Sequence, residues 1–157
     1  MWSTEHTAET AAGPEQVWAA LRDVHSGLVD GGGDTFVLHG PFAVGTRLSV
    51  TPHGQDTFSS TIVELLDTAV YADRTDLGDV SLVFRHTLTA LDSGGTRVAH
   101  ALTIDGVGAD EVGPVLGPQI SEDFPATLQN LFAIAARSGA AGLPAVGTGH
   151  AAGAGGS

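Results

Sequence analysis

Between Thr35 and Asp105 the chain passes through six β-forming segments, TFVLHG, TRLSVT, TFSSTIVELL, AVYADRTD, VSLVFRHTLTAL and TRVAHALTI, with no helical stretch among them. Clusters of Gly, Pro, Asp and Ser separate the segments at short, regular intervals. Parallel neighbours need a crossover of about a dozen residues or more, usually helical. The gaps here are too short for that, so the segments are expected to pair as antiparallel hairpins in one sheet. The stretch from Met1 to Thr10 adds a seventh strand.

Helical signals fall outside this run. GPEQVWAALRD starts a helix, with Pro14 at the first helical position, Glu15 in the first turn, and Val17, Trp18 and Leu21 on one side. Trp18 reads as core. A short second helix or irregular turn is expected around Val24 to Val29, ended by Gly31-Gly32-Gly33. Beyond the sheet, ADEVGPVLGPQI has Asp110 as a candidate N-cap, and Pro114 and Pro118 should kink or break it. A cleaner helix is predicted from Pro125 to Arg137, with Leu128, Leu131, Phe132 and Ala135 at i, i+3, i+4 and i+7. Its apolar face needs a partner, and the sheet is the large one available.

This order resembles the START-like or Bet v 1-like superfamily, in the bacterial polyketide cyclase/dehydrase (SRPBCC) group. The resemblance rests on Ala12-Gly13-Pro14-Glu15-Gln16-Val17-Trp18 with Asp23 behind it, on Gly40-Pro41-Phe42-Ala43-Val44-Gly45, and on Gly95-Thr96-Arg97-Val98 followed by Gly106. It covers residues 2 to 137, and its motifs are structural punctuation, so they speak for the fold and not for a reaction. It implies an α+β helix-grip fold, a curved antiparallel seven-stranded sheet wrapped around a long C-terminal helix. A cavity between sheet and helix goes with that fold, and members bind lipids, sterols, polyketides, quinones or hormones, some with catalysis and some without.

Residues 1–138 are expected to form this domain, and 139–157, almost all Gly, Ala and small polar residues, a disordered tail with little side chain to bury. His150 falls in that tail and is set aside.

The formal charge of -12, from eighteen acidic residues against six arginines, repels nucleic acid and anionic membrane surfaces. The absence of cysteine removes disulfides, thiolate catalysis and sulfur-ligated metals. The N-terminal stretch lacks the basic and apolar regions of a leader, and no run is apolar enough for a membrane helix, so a cytoplasmic protein without membrane insertion is expected, monomer or homodimer.

Two histidines stand on what read as the last two arms of the sheet. His86 shares its alternating face with Leu82, Phe84 and Leu88, and His100 shares its face with Val98, Leu102 and Ile104. A loop at Ser93-Gly94-Gly95 would set Leu88 opposite His100 and His86 opposite Leu102, leaving the histidines diagonal at about 7–8 Å between Cβ atoms. Arg85 falls on the other face. In the resembled fold the first strand lies beside the last, which adds His6 to the same surface.

Two readings stay open. A buried histidine bonded to a neighbour is the commoner arrangement, whereas a neutral imidazole in an apolar cavity can carry protons near its reference pKa of about 6.5. On the second reading His86 and His100 are catalytic acid/base residues for cyclisation or dehydration, and His6, Phe42, Phe84, Leu88, Leu102, Leu128 and Phe132 line the ligand site. The alternative is a non-catalytic carrier, sensor or chaperone-like partner for the same small hydrophobic molecule, in which the same histidines hydrogen-bond its polar end. An interaction module with a filled interior is the third class. No cofactor or metal is expected, since the tight His and Asp spacing of the Rieske-type oxygenases is absent. HGPFAVG lacks the Lys-Ser/Thr ending of a phosphate loop and reads as a turn, with Phe42 at a cavity mouth. Asp105, Asp110, Glu111, Glu122 and Asp123 read as helix caps and dipole partners.

Overall fold

The computed structural model describes residues 1–141. Its order is β1 (Trp2–Thr10), α1 (Pro14–His25), β2 (Thr35–Leu38), β3 (Arg47–Thr51), β4 (Phe58–Leu66), β5 (Val70–Leu77), β6 (Val80–Ala90), β7 (Thr96–Gly106), α2 (Ala109–Ser121) and α3 (Phe124–Ala141). The strands form one antiparallel sheet in the order β1-β7-β6-β5-β4-β3-β2, so the six-segment run folds as consecutive hairpins and β1 closes on β7. This is the expected α+β architecture.

Alternation decides which face is inside. Along β7, Thr96, Val98, His100, Leu102 and Ile104 are buried while Arg97 and Asp105 are exposed. The outer face carries the ion pairs Arg85–Glu64 and Arg97–Glu9, as the alternation of Arg85 requires. β4 breaks register between Ile62 and Glu64, and a bulge of this kind bends the strand.

α1 starts as the sequence implies, with Gly13 extended ahead of Pro14 and its N–H donating to Gln16 Oε1 at 2.9 Å. Val17 and Leu21 are fully buried, each stabilising the fold by about 1.5–3 kcal/mol. No second helix follows: α1 runs on to His25 and the chain turns at Gly27, whose φ is 77°. A Cβ on Gly27 would meet the Phe36 backbone carbonyl, so the turn can lie close against β2 only with glycine there. α2 is a continuous helix across Pro114 and Pro118, and its N-cap is Gly108, not Asp110, which instead pairs with the N-terminal amine at 2.6 Å. α3 extends past Arg137 and past the boundary expected at 138. Of the expected tail, residues 142–157, including His150, lie outside the described residues.

The core has two parts. One joins α1 and α3 to the sheet through Val17, Leu21, Leu88, Val98, Leu128 and Phe132. The other joins α2 and the start of α3 to the far end of β6 and β7 through Leu82, Leu102, Ile104 and Phe124. The histidine row crosses the sheet at the seam between them.

Candidate ligand-binding cavity

His86 and His100 are placed by the β6–β7 hairpin. The hairpin loop is Asp92-Ser93-Gly94: Leu91 N–H donates to Gly95 O and Gly94 N–H to Leu91 O, both at 2.9 Å, with Gly94 at φ 93°. That is a type I turn closed by a residue in the left-handed region. The loop therefore sits one residue earlier than expected, and the pairing is displaced by two residues, to His86 opposite His100 and Leu88 opposite Val98. The two rings stack directly at 4.0 Å between centroids, and His100 stacks in turn on Phe124 at 3.8 Å. Gly95 follows the turn because a Cβ there would run into the Thr10 carbonyl.

The row continues on both sides. His6 pairs with His100, and Tyr71 pairs with His86. His25, from the last turn of α1, comes down over it with its ring 4.3 Å from Tyr71 and 5.7 Å from His86. His25 Nδ1 lies 2.8 Å from the Leu21 carbonyl. A carbonyl only accepts, so Nδ1 carries the proton and Nε2 keeps a free lone pair.

Between this row, α1, α2 and α3 lies a cavity of about 380 Å³, a size suited to a small organic ligand. Its walls include Phe36, Phe58, Phe84, Phe124, Leu116 and Ile134; His25, His86, His100, Asp73, Ser60 and Thr75 supply polar groups. Ser60 and Thr75 hydrogen-bond each other across β4 and β5. Asp73 is 4 % exposed, and its Oδ2 accepts from the Tyr71 hydroxyl at 2.7 Å.

Burial sets the electrostatics. His25 is pushed down to about 4 by desolvation, against the opposing hydrogen bond to Leu21. Desolvation, then the neighbouring His25 and His6, brings His100 to about 3. His86 is driven well below its ordinary value by desolvation, then by His100 and His25. All three imidazoles are neutral at physiological pH. Asp73 moves the other way, up to about 7, because desolvation and the charge of Asp34 outweigh the Tyr71 hydrogen bond. No hydrogen bond reaches the imidazole ring of His86 or His100 among the described residues, and the Nδ1 atoms of both are buried without a partner. Among the described residues no group of three or more His, Cys, Asp or Glu is placed to hold a metal ion.

Of the residues expected at the site, His86, His100 and Phe84 line the cavity. His6 shares their face but is half-buried away from the lining. Leu88, Leu128 and Phe132 belong to the α1–α3 core, and Leu102 to the other, where each is filled around by neighbours. Phe42 is not at the mouth: its ring stacks on Tyr71 at 5.7 Å and meets Trp18 edge-on at 6.3 Å. Asp123, read as a helix cap, is part of the cavity wall.

His25, Tyr71 and Asp73 were missed. Asp73 left a signal, as an acidic residue in mid-strand on the same alternating face as Tyr71, where Asp is disfavoured. His25 left none, because only the path of α1 over the sheet brings it in.

No family model matches the sequence, and no curated protein matches it significantly. Solved structures do match in shape. Zhui aromatase/cyclase from a Streptomyces species superposes with TM-score 0.67 at 18% identity, covering 86% of this chain and 93% of that one. A norcoclaurine synthase from Thalictrum flavum, solved as a point mutant with a transition-state analogue, gives TM-score 0.66 at 12% identity, covering 87% and 94%. Ara h 8.0201 gives TM-score 0.64 at 14% identity, covering 85% and 96%. The chain thus shares the helix-grip fold of these structures, a seven-stranded antiparallel sheet with a long C-terminal helix.

Proposed function

We propose that this protein binds a small, largely apolar molecule in the cavity, with the molecule's polar end against His86, His100 and Asp73. The observation that carries the reading is the pair of stacked, buried imidazoles on the cavity wall whose Nδ1 atoms have no hydrogen-bond partner among the described residues. A buried polar group left unpaired costs about 1–3 kcal/mol, and a ligand that supplies the partner offsets that cost.

The same wall supports cyclisation or dehydration of a polyketide-like ligand, with a different division of labour from the one expected. Imidazoles held this far below neutral pH stay unprotonated and serve as hydrogen-bonding groups, so His86 and His100 position the ligand. Asp73, at about 7, has the proton affinity of a general acid or base at working pH. The carrier reading draws on the same weak basicity of the histidines, which suits holding a ligand more than transforming it.

Native mass spectrometry of the freshly purified chain tests both. A retained small molecule, or uptake of the neutral probe N-phenyl-1-naphthylamine, is expected. Neither being seen overturns the binding reading. Conversion of the released molecule by fresh wild-type protein, lost in Asp73→Asn, supports catalysis, and return of the molecule unchanged supports the carrier.

A further inference from the structure

The cavity has an unbalanced charge. Asp34, Asp73 and Asp123 all contribute to its wall, and no arginine does; the chain has no lysine at all. Five of the six arginines are engaged elsewhere: Arg22 with Asp23, Arg74 with Asp76, Arg85 with Glu64 and Arg97 with Glu9, while Arg47 donates to Ser59. None of the three cavity carboxylates has a basic partner among the described residues. They also act on one another, the charge of Asp123 reaching Asp34 and that of Asp34 reaching Asp73.

Asp73 is the deepest of the three and the best defined. Tyr71 occupies its Oδ2, and Oδ1 makes no hydrogen bond among the described residues, while Asp73 as a whole is buried and lines the cavity. Phe36, Phe58, Phe84 and Phe124 surround the same space, and aromatic faces attract cations.

We propose that the cavity selects a cationic ligand, a protonated amine on an apolar body of aromatic dimensions, with the ammonium against Asp73 Oδ1. The proposal rests on the cavity-binding reading above and adds the charge class of the ligand. An ammonium meets a charge-assisted hydrogen bond at Asp73, relieves the repulsion among the three carboxylates, and keeps its carbon body against the phenylalanines. A carboxylate ligand meets repulsion from the same groups. A ligand oxygen taking a hydrogen bond from protonated Asp73 is the competing arrangement, and it would favour a neutral molecule.

Three probes of matched shape separate these cases: naphthylethylamine, naphthylethanol and naphthylacetate, titrated calorimetrically into the full chain near neutral pH. The amine is expected to bind at least about tenfold more tightly than the alcohol, and the acetate more weakly than either. Asp73→Asn should bring the amine-to-alcohol ratio close to one. Because Asp73 is buried and its variant can fail to fold, Asp123→Asn is the second variant, and it should narrow the ratio. An alcohol that binds as well as the amine overturns the cationic class while leaving the cavity reading intact. A ratio unchanged in the folded variants also overturns it. If none of the three probes binds, the cavity reading falls as well.

Discussion

His100 shows how a single residue can cost stability and still have a use. Its ring is 5 % exposed, stacked between His86 and Phe124, and its Nδ1 is buried without a partner. Replacing it with phenylalanine keeps an aromatic ring in the stack and removes the unsatisfied nitrogen. His100→Phe is therefore expected to stabilise the fold by about 1 kcal/mol, within the usual cost of an unpaired buried polar group, and to weaken ligand binding. Thermal denaturation beside probe titration checks both, and a lower melting temperature would show that His100 is already satisfied within the fold. Face assignment at this scale was readable from alternation alone, since His86, His100 and Arg85 lie on the faces their positions imply. Their mutual distance was not. A two-residue slip leaves every side chain on its own face, so the pattern that set the inner surface was silent about which residues oppose one another.

At the level of elements, α2 is held by the close approach of its backbone to β1. A Cβ on Gly113 or Gly117 would strike the indole of Trp2, so these glycines permit the contact. α2 also brings Leu116, Gln119 and Ile120 to the cavity wall. Gly117→Ala should therefore displace α2, costing about 1–3 kcal/mol as an overpacked core does, even though alanine is the better helix former. Urea denaturation should show the lower midpoint, with probe affinity falling in step. A stabilised variant would mean that propensity outweighs packing here. The helix itself was expected as kinked or broken because of its prolines, and it is not broken: it runs on across both. The prolines were visible in the sequence, whereas the indole waiting across the interface was not.

For the molecule as a whole, the buried titratable groups make stability depend on pH in a definite direction. His25, His86 and His100 have folded pKa values below the unfolded value of about 6.5. As pH falls below 6.5 the unfolded chain takes up protons that the folded chain refuses, and stability is lost. Asp73 has the opposite sign: its folded pKa is raised to about 7, so its contribution is present at low pH and lost as pH rises from about 4 through 7. Three groups oppose one, so denaturation midpoints should fall as pH drops from about 6.5 to about 4. Across the same range wild type should lose ground to Asp73→Asn as pH rises from about 4 to 7. A midpoint flat below pH 6.5 would mean that the histidines are not held neutral.

The sequence by itself determined the seven strands, the antiparallel hairpin order of the last six, the first and last helices and the inner face of the sheet. Each of these follows from local periodicity, from turn residues and from gaps too short for parallel crossovers. Only the tertiary structure decided that His86 faces His100, that His25 descends from α1 onto the same row, that Leu88, Leu102, Leu128 and Phe132 fill core while Asp73 is left facing open space, and that burial raises the proton affinity of Asp73 and lowers that of the histidines. These depend on register, on the path of a helix over a sheet and on the exclusion of water, and all three arise from contacts between residues distant in the chain.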